Sequence, residues 1–297
     1  MELHRSRALH TALAYFHLTK PRVIELLLVT TLPAMILAAG EMPSIGLIVS
    51  VLVGGALSAG GANTINCWIE RDRDQLMRRT AHRPLPHGDV KPEGALVFGL
   101  VLEVLAFALL WSTVNLLAAT LAVSAMLFYV FVYTIWLKPR SPQNIVIGGA
   151  AGAVPVLVGW AAVTGELAAP AWVLFAIVFF WTPPHFWALS LKYFDDYQAA
   201  GIPMLPVAKG IPTAVRQIVA YSVVVVAITF TLPLTTDAVG ALYLVVAAVL
   251  GALFVAQAIR LACDPTPAQA IRLFTFSNTY LALLFAAVAV DTLLRSV

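Results

Sequence analysis

Asn66, Glu70 and Asp74 stand four residues apart in the stretch Asn66-Cys67-Trp68-Ile69-Glu70-Arg71-Asp72-Arg73-Asp74. On a helix that spacing keeps three oxygen-bearing side chains on one face, drifting slowly around the axis. Arg71, Arg73, Arg78, Arg79 and Arg83 crowd the same region. Hard Mg²⁺ takes a few carboxylate oxygens together with phosphate oxygens, and guanidinium groups grip phosphate bidentately. Such a set can hold a metal-bound diphosphate. A second acidic group follows in Lys192-Tyr193-Phe194-Asp195-Asp196-Tyr197. Acids and arginines in one loop are by default a solvated face. Two acidic clusters in two long loops on the same side of the molecule favour a shared site.

The elements that position these residues cross a bilayer. Of 297 residues, 61% are hydrophobic and 11% charged, and the mean hydropathy is +0.89. That composition excludes an ordinary soluble domain. Nine apolar stretches are long enough to span, at about 23–39, 43–65, 93–113, 115–136, 143–164, 170–191, 213–233, 238–262 and 273–294. The third and fourth are divided only by Ser112-Thr113-Val114-Asn115, which predicts a tight hairpin. The expected fold is therefore all-α, one intramembrane domain over 1–297 with nine transmembrane helices around a central cavity.

Charge sets the expected orientation. With the N-terminus in the cytoplasm and the C-terminus outside, seventeen of the eighteen Lys and Arg fall on the cytoplasmic side; Arg295 is the exception. The net charge of +3 then reflects orientation, not nucleic-acid binding. Residues 66–92 and 192–212 become the long cytoplasmic loops, where function concentrates. Residues 1–19, with Arg5, Arg7, His10 and His17, read as an interfacial segment without the pattern of a cleavable signal. Cys67 and Cys263 are too few for a disulfide framework or a thiolate metal site.

Several strings now resemble a known family. Asn66-x-x-x-Glu70-x-x-x-Asp74 with Arg78-Arg79-Thr80 and Arg83-Pro84-Leu85 is similar to the first acidic motif of the UbiA superfamily of intramembrane prenyltransferases. Thr19-Lys20-Pro21-Arg22-Val23, Tyr133-Thr134 through Lys138, Pro142-Gln143-Asn144-Ile145-Val146-Ile147-Gly148-Gly149 and Asp196-Tyr197-Gln198-Ala199-Ala200-Gly201-Ile202-Pro203-Met204-Leu205-Pro206 resemble its heme-farnesylating branch. The match runs from about residue 19 to 210 and more faintly to the last helix. The resemblance implies farnesyl transfer from farnesyl diphosphate to a vinyl group of heme B, with water addition, giving heme O. It implies Mg²⁺ as cofactor, a lipid environment in a bacterial-type plasma (inner) membrane, and an active site on the cytoplasmic side. The next enzyme of heme A synthesis is a candidate partner.

It also implies roles for residues. Asn66, Glu70, Asp74 and Asp196 are the catalytic and metal-holding set, with Asp195 as a further metal candidate. Arg71, Arg78, Arg79, Arg83, Lys192, Lys20 and Arg22 are candidates for the diphosphate. Two positions depart from the family pattern: Glu70 stands where Asp is usual, and Lys192 stands four residues before Asp196 where many relatives carry a second acid. Asp196 acts alone, or Asp195 turns in, or Lys192 contacts the diphosphate; the favoured arrangement puts Lys192 on phosphate and Asp196 on metal. His185, Trp181, Trp187 and Asn144 are candidates for heme, each with a plainer reading. A lone intramembrane histidine is often a hydrogen-bonded core residue, tryptophans near helix ends are often interfacial, and Asn144 can cap a helix. Gly148, Gly149 and Gly152 predict close helix packing, and Glu25 and Glu103 must be paired, protonated or cavity-facing. The alternatives are a sibling enzyme prenylating a quinone precursor or chlorophyll-type ring, and a secondary transporter. The transporter is disfavoured because the charges gather at one mouth, not at the midplane.

Overall fold

The computed structural model describes residues 2–296, except the side chains of residues 2–8, 23 and 25–28. Glu25 is among these exceptions, so its expected partner lies outside the described residues. The described chain is helical, with no strand. Helix α1 (Glu2–Leu18) leads through Thr19 and Lys20 into α2 (Pro21–Ala39). Leu9, Leu13 and Phe16 leave an exposed apolar stripe on α1, while Ala14 and Leu18 pack with Cys67, Leu85 and Ala95.

Helix α3 (Ile45–Asp74) starts at Ser44, whose hydroxyl accepts the Leu47 N–H at 3.3 Å. Its 30 residues extend about 45 Å at ~1.5 Å per residue, beyond a ~30 Å hydrocarbon layer. Asn66, Glu70 and Asp74 therefore stand on the last turns of this helix. This corrects the expected loop at 66–92: its first residues are helical, and the remainder carries the one-turn helix α4 (Pro84–His87). The expected 192–212 loop likewise contains two short helices, α9 (Phe194–Ala199) and α10 (Leu205–Lys209).

Helices α5 (Pro92–Thr113) and α6 (Leu116–Leu127) form the expected tight hairpin. Asn115 caps α6 by accepting the Ala118 N–H at 2.8 Å, and its amide donates to the Ala161 carbonyl at 2.7 Å. Helix α6 continues as a π-helical segment, Phe128–Leu137. Then come α7 (Asn144–Thr164), α8 (Ala169–Lys192), α11 (Ile211–Thr229), α12 (Ala241–Cys263) and α13 (Pro267–Arg295).

Among the described residues, eight helices are long and apolar enough to cross a membrane, and α2 adds a shorter apolar stretch, Val29–Ala39. Buried positions make up 56% and 61% of the apolar windows of α7 and α8, against 28% in α5, α11 and α12. So α7 and α8 form the inside of the bundle and the others face lipid. Exposed Val104, Phe131, Trp136 and Val245 on the outer helices fit that environment. A Cβ on Gly148 would strike the Tyr133 ring, and one on Gly149 would meet Thr182 at 3.0 Å, as close packing requires. Gly152 departs from the expectation: a Cβ there meets nothing within 4 Å. Glu103 sits buried between α3 and α5, accepting from Ser58 at 3.1 Å.

Candidate active site

The last turns of α3 bury Asn66, Glu70 and Asp74 to 1%, 3% and 0% exposure. Buried polar groups need partners, and these come from three other segments. Lys20 donates to Asn66 Oδ1 at 2.6 Å. Asn66 in turn donates to Thr134 Oγ1 at 3.1 Å. Lys138 Nζ straddles the Glu70 carboxylate, hydrogen-bonded to Oε2 at 2.6 Å and off-axis from Oε1 at 2.5 Å. Arg83 donates to Asp74 Oδ2 at 2.7 Å. Asp74 Oδ1 is buried without a protein partner.

Local chain geometry delivers these cations. Lys20 has φ 54° and ψ 60°, the one non-glycine residue with positive φ among those described. A left-handed lysine costs roughly 1 kcal/mol, and here it turns the chain from α1 into Pro21 with its ammonium on Asn66. The π-helical segment presents Thr134 and Lys138 to α3; Thr134 also donates to the Tyr129 carbonyl, five residues back, at 2.8 Å. Such segments often occur where function re-aims side chains. Lys138 was not singled out as a site residue from sequence; the only signal was its place at the end of the Tyr133–Lys138 string.

Electrostatics act differently on the cluster's cations. Burial alone would lower the Lys138 pKa, but the adjacent Glu70 carboxylate outweighs it and raises the ammonium above its ordinary value. Burial likewise opposes Arg83, and Asp74 reverses the effect, so Arg83 is also raised. Lys20 lacks a carboxylate in direct contact, and burial pulls it down.

The second acidic segment meets the first. Asp196 Oδ2 accepts the backbone N–H of Arg79 at 3.2 Å. The Arg79 guanidinium donates to Tyr197 Oη at 3.0 Å and lies 5.1 and 5.2 Å from the Tyr193 and Tyr197 ring centroids. Four cations, Lys20, Arg79, Arg83 and Lys138, thus stand among three carboxylates, Glu70, Asp74 and Asp196. These cations suit an anionic ligand.

Other candidates lie outside this cluster. Arg71 folds back onto the Trp68 carbonyl at 2.7 Å and over the Trp68 ring. Arg22, Arg78, Lys192 and Asp195 are exposed, with the Lys192 ammonium 5.0 Å from the Tyr193 centroid. His185 is buried between Trp181 and Phe274, with centroids at 4.2 and 4.4 Å, and its Nδ1 is 2.7 Å from Ser277 Oγ. Trp181 donates to the Ser277 carbonyl at 2.8 Å. These contacts give both residues a packing role. Trp187 is 1% exposed and meets Tyr221 edge-on, within the bundle core. Asn144 is wholly buried with neither amide atom partnered. A groove of about 1200 Å³ between α1, α3 and α5 is lined by Glu93 but by none of Glu70, Asp74 and Asp196, and opens among apolar side chains such as Phe16, Val97 and Phe98.

No trio of His, Cys, Asp or Glu among the described residues could hold a metal ion unaided. This donor set fits Mg²⁺ nonetheless, because Mg²⁺ is commonly bound by one or two carboxylates and completed by phosphate oxygens and water. The unpartnered Asp74 Oδ1 is a hard oxygen left for such a ligand.

A helical membrane bundle with acids and cations gathered at one end is the architecture of an intramembrane prenyltransferase. The model of the UbiA prenyltransferase family matches residues 27–285, and the chain belongs to that family. Within it, the chain is 53% identical to the protoheme IX farnesyltransferase of Parafrankia sp. (strain EAN1pec), over 97% of this chain and 93% of that protein. It is 52% identical to the protoheme IX farnesyltransferase of Mycolicibacterium paratuberculosis, with the same coverage. Among solved structures, a digeranylgeranylglyceryl phosphate synthase superposes with a TM-score of 0.78 at 20% identity, covering 95% of this chain and 99% of that one. A UbiA homologue from Archaeoglobus fulgidus bound to GPP and Mg²⁺ superposes at 0.65 with 18% identity, covering 93% and 99%. These two likenesses speak for the fold.

Proposed function

We propose that this protein transfers the farnesyl group of farnesyl diphosphate to a vinyl carbon of heme B, with water adding at the neighbouring carbon, to yield heme O and diphosphate. The observation that carries the reading is the buried Asn66–Glu70–Asp74 ladder, countered by Lys20, Lys138 and Arg83. Similarity to protoheme IX farnesyltransferases along nearly the whole chain selects the acceptor.

The diphosphate leaves carrying negative charge, which the buried cations stabilise before bulk water can. Glu70, Asp74 and Asp196, with the Asn66 amide oxygen, would hold Mg²⁺, and Mg²⁺ would neutralise part of the departing charge. Tyr193, Tyr197 and Arg79 close the second acidic segment over the first and restrict water at the reacting end. The apolar helices below shelter the allylic cation until the vinyl group attacks. The site faces the cytoplasm of a bacterial-type plasma membrane, as the basic residues near it favour.

The test is incubation of purified protein with heme B, farnesyl diphosphate and Mg²⁺, followed by mass analysis of the heme. A heme heavier by one farnesyl group and one hydroxyl is expected, and unchanged heme, with prenylation of a quinone precursor supplied in a parallel incubation, would move the enzyme to a sibling reaction. For orientation, single-cysteine reporters at Glu41, Glu166 or Asp237 should label from outside, and one at Asp89 should not.

A further inference from the structure

Two of the carboxylates proposed to hold metal, Glu70 and Asp74, are already engaged by protein cations, and the third, Asp196, by a backbone N–H. Both Glu70 oxygens lie within 2.6 Å of Lys138 Nζ. Asp74 offers Oδ2 to Arg83 at 2.7 Å, and Asp196 offers Oδ2 to the Arg79 N–H. A metal ion approaching Glu70 meets an ammonium at contact distance. Like charges that close repel strongly in a site screened from water. Lys138 must therefore leave Glu70 for a metal to bind there, and a buried ammonium can leave only toward another anion. A diphosphate bound beside it is such an anion.

We infer that Lys138 and Arg83 guard the metal ligands, so that metal binds productively only together with the diphosphate, which draws these cations onto itself. This rests on the function proposed above and adds a binding order to it. Asp74 Oδ1, buried and without a hydrogen-bond partner, supplies the first foothold for the incoming pair. Coupling of this kind is reciprocal: the metal must tighten diphosphate binding by the factor by which diphosphate tightens the metal.

The experiment uses the full-length protein in nanodiscs, with Mn²⁺ as a paramagnetic probe and farnesyl thiolodiphosphate as a slowly reacting diphosphate. Wild type should bind Mn²⁺ weakly alone and at least about tenfold more tightly with the analogue, after correction for their association in solution. Lys138→Met should bind Mn²⁺ alone at least about tenfold more tightly than wild type and should lose most of the analogue's enhancement. Adding Glu70→Gln to it should abolish that gain, placing it at Glu70. Lys138→Arg keeps a cation and should stay weak, and Arg83→Met repeats the test at Asp74 should the Lys138→Met protein not fold. Mn²⁺ binding by Lys138→Met no tighter than wild type, in folded protein, overturns the inference while leaving the prenyltransfer reading intact. Absence of Mn²⁺ binding in every protein, with or without the analogue, overturns both.

Discussion

The two acidic segments use similar letters and are built differently. On α3, Glu70 and Asp74 belong to a continuous 30-residue helix, are buried, and each is met by a cation from beyond that helix. On α9 the acid is carried by a six-residue helix, Asp195 beside it faces out, and Asp196 hangs from one backbone N–H. The first is a preorganised scaffold. The second is a cap, and Arg79 is the latch that joins them. Rigid elements fix catalytic geometry, and short segments permit closure.

That contrast can be broken by mutation, and the largest effects belong to the scaffold. Asp74→Ala should lower turnover by at least about a thousandfold while heme B still binds, as seen by heme absorbance and mass assay. Glu70→Ala should match it and also strand Lys138 as an unpaired buried charge, at a cost of roughly 3–5 kcal/mol, measurable as a lowered unfolding temperature. Equal activity of both variants with wild type at saturating Mg²⁺ would dissolve the distinction. Asp196→Asn should raise the Mg²⁺ requirement by about ten- to a hundredfold with stability nearly unchanged, since one ligand of the cap is weakened and no buried cation is stranded. Arg79→Ala removes a tyrosine hydrogen bond and two ring contacts, about 2 kcal/mol together. Amide exchange over 194–199 should then speed up while that of α3 stays constant. Lys192→Met should be the mildest, changing the farnesyl diphosphate KM by less than about threefold, because the side chain is exposed at the end of α8, just before the cap. A loss tenfold larger would mean that Lys192 swings inward and the cap is a working half of the site.

Short-range spacing carried the legible part. The 66/70/74 interval placed three oxygens on one helical face, and apolar runs foretold the helices and the hairpin at Asn115. The partners were not legible, because they lie far along the chain: Lys20 is 46 residues from Asn66, and Lys138 is 68 from Glu70. A π-helical stretch also shifts side-chain direction away from the ordinary helical period, so Lys138 could not be placed on a face from sequence. Spacing does not distinguish the arginines next to the ladder, yet Arg83 turns onto Asp74 and Arg79 onto Tyr197 of α9, a contact that depends on where α9 docks. Even Arg295, the misfit in the charge pattern, has a local explanation. It lies 3.5 Å from Asp291 and donates to the Asp237 carbonyl at 3.2 Å, while Asp291 caps the start of α12 through the Tyr243 N–H at 3.0 Å.

The length of α3 has a consequence for the membrane itself. Because the ladder stands on the same rod that crosses the lipid, the bilayer acts as a ruler for the reaction. A thicker bilayer would draw the carboxylates toward hydrocarbon or tilt the rod, and a thinner one would lift the ladder into water, where its fields are screened. Catalysis by this protein should thus be matched to one lipid thickness, making acyl-chain length a control on heme modification that no change in the site's own residues would reveal.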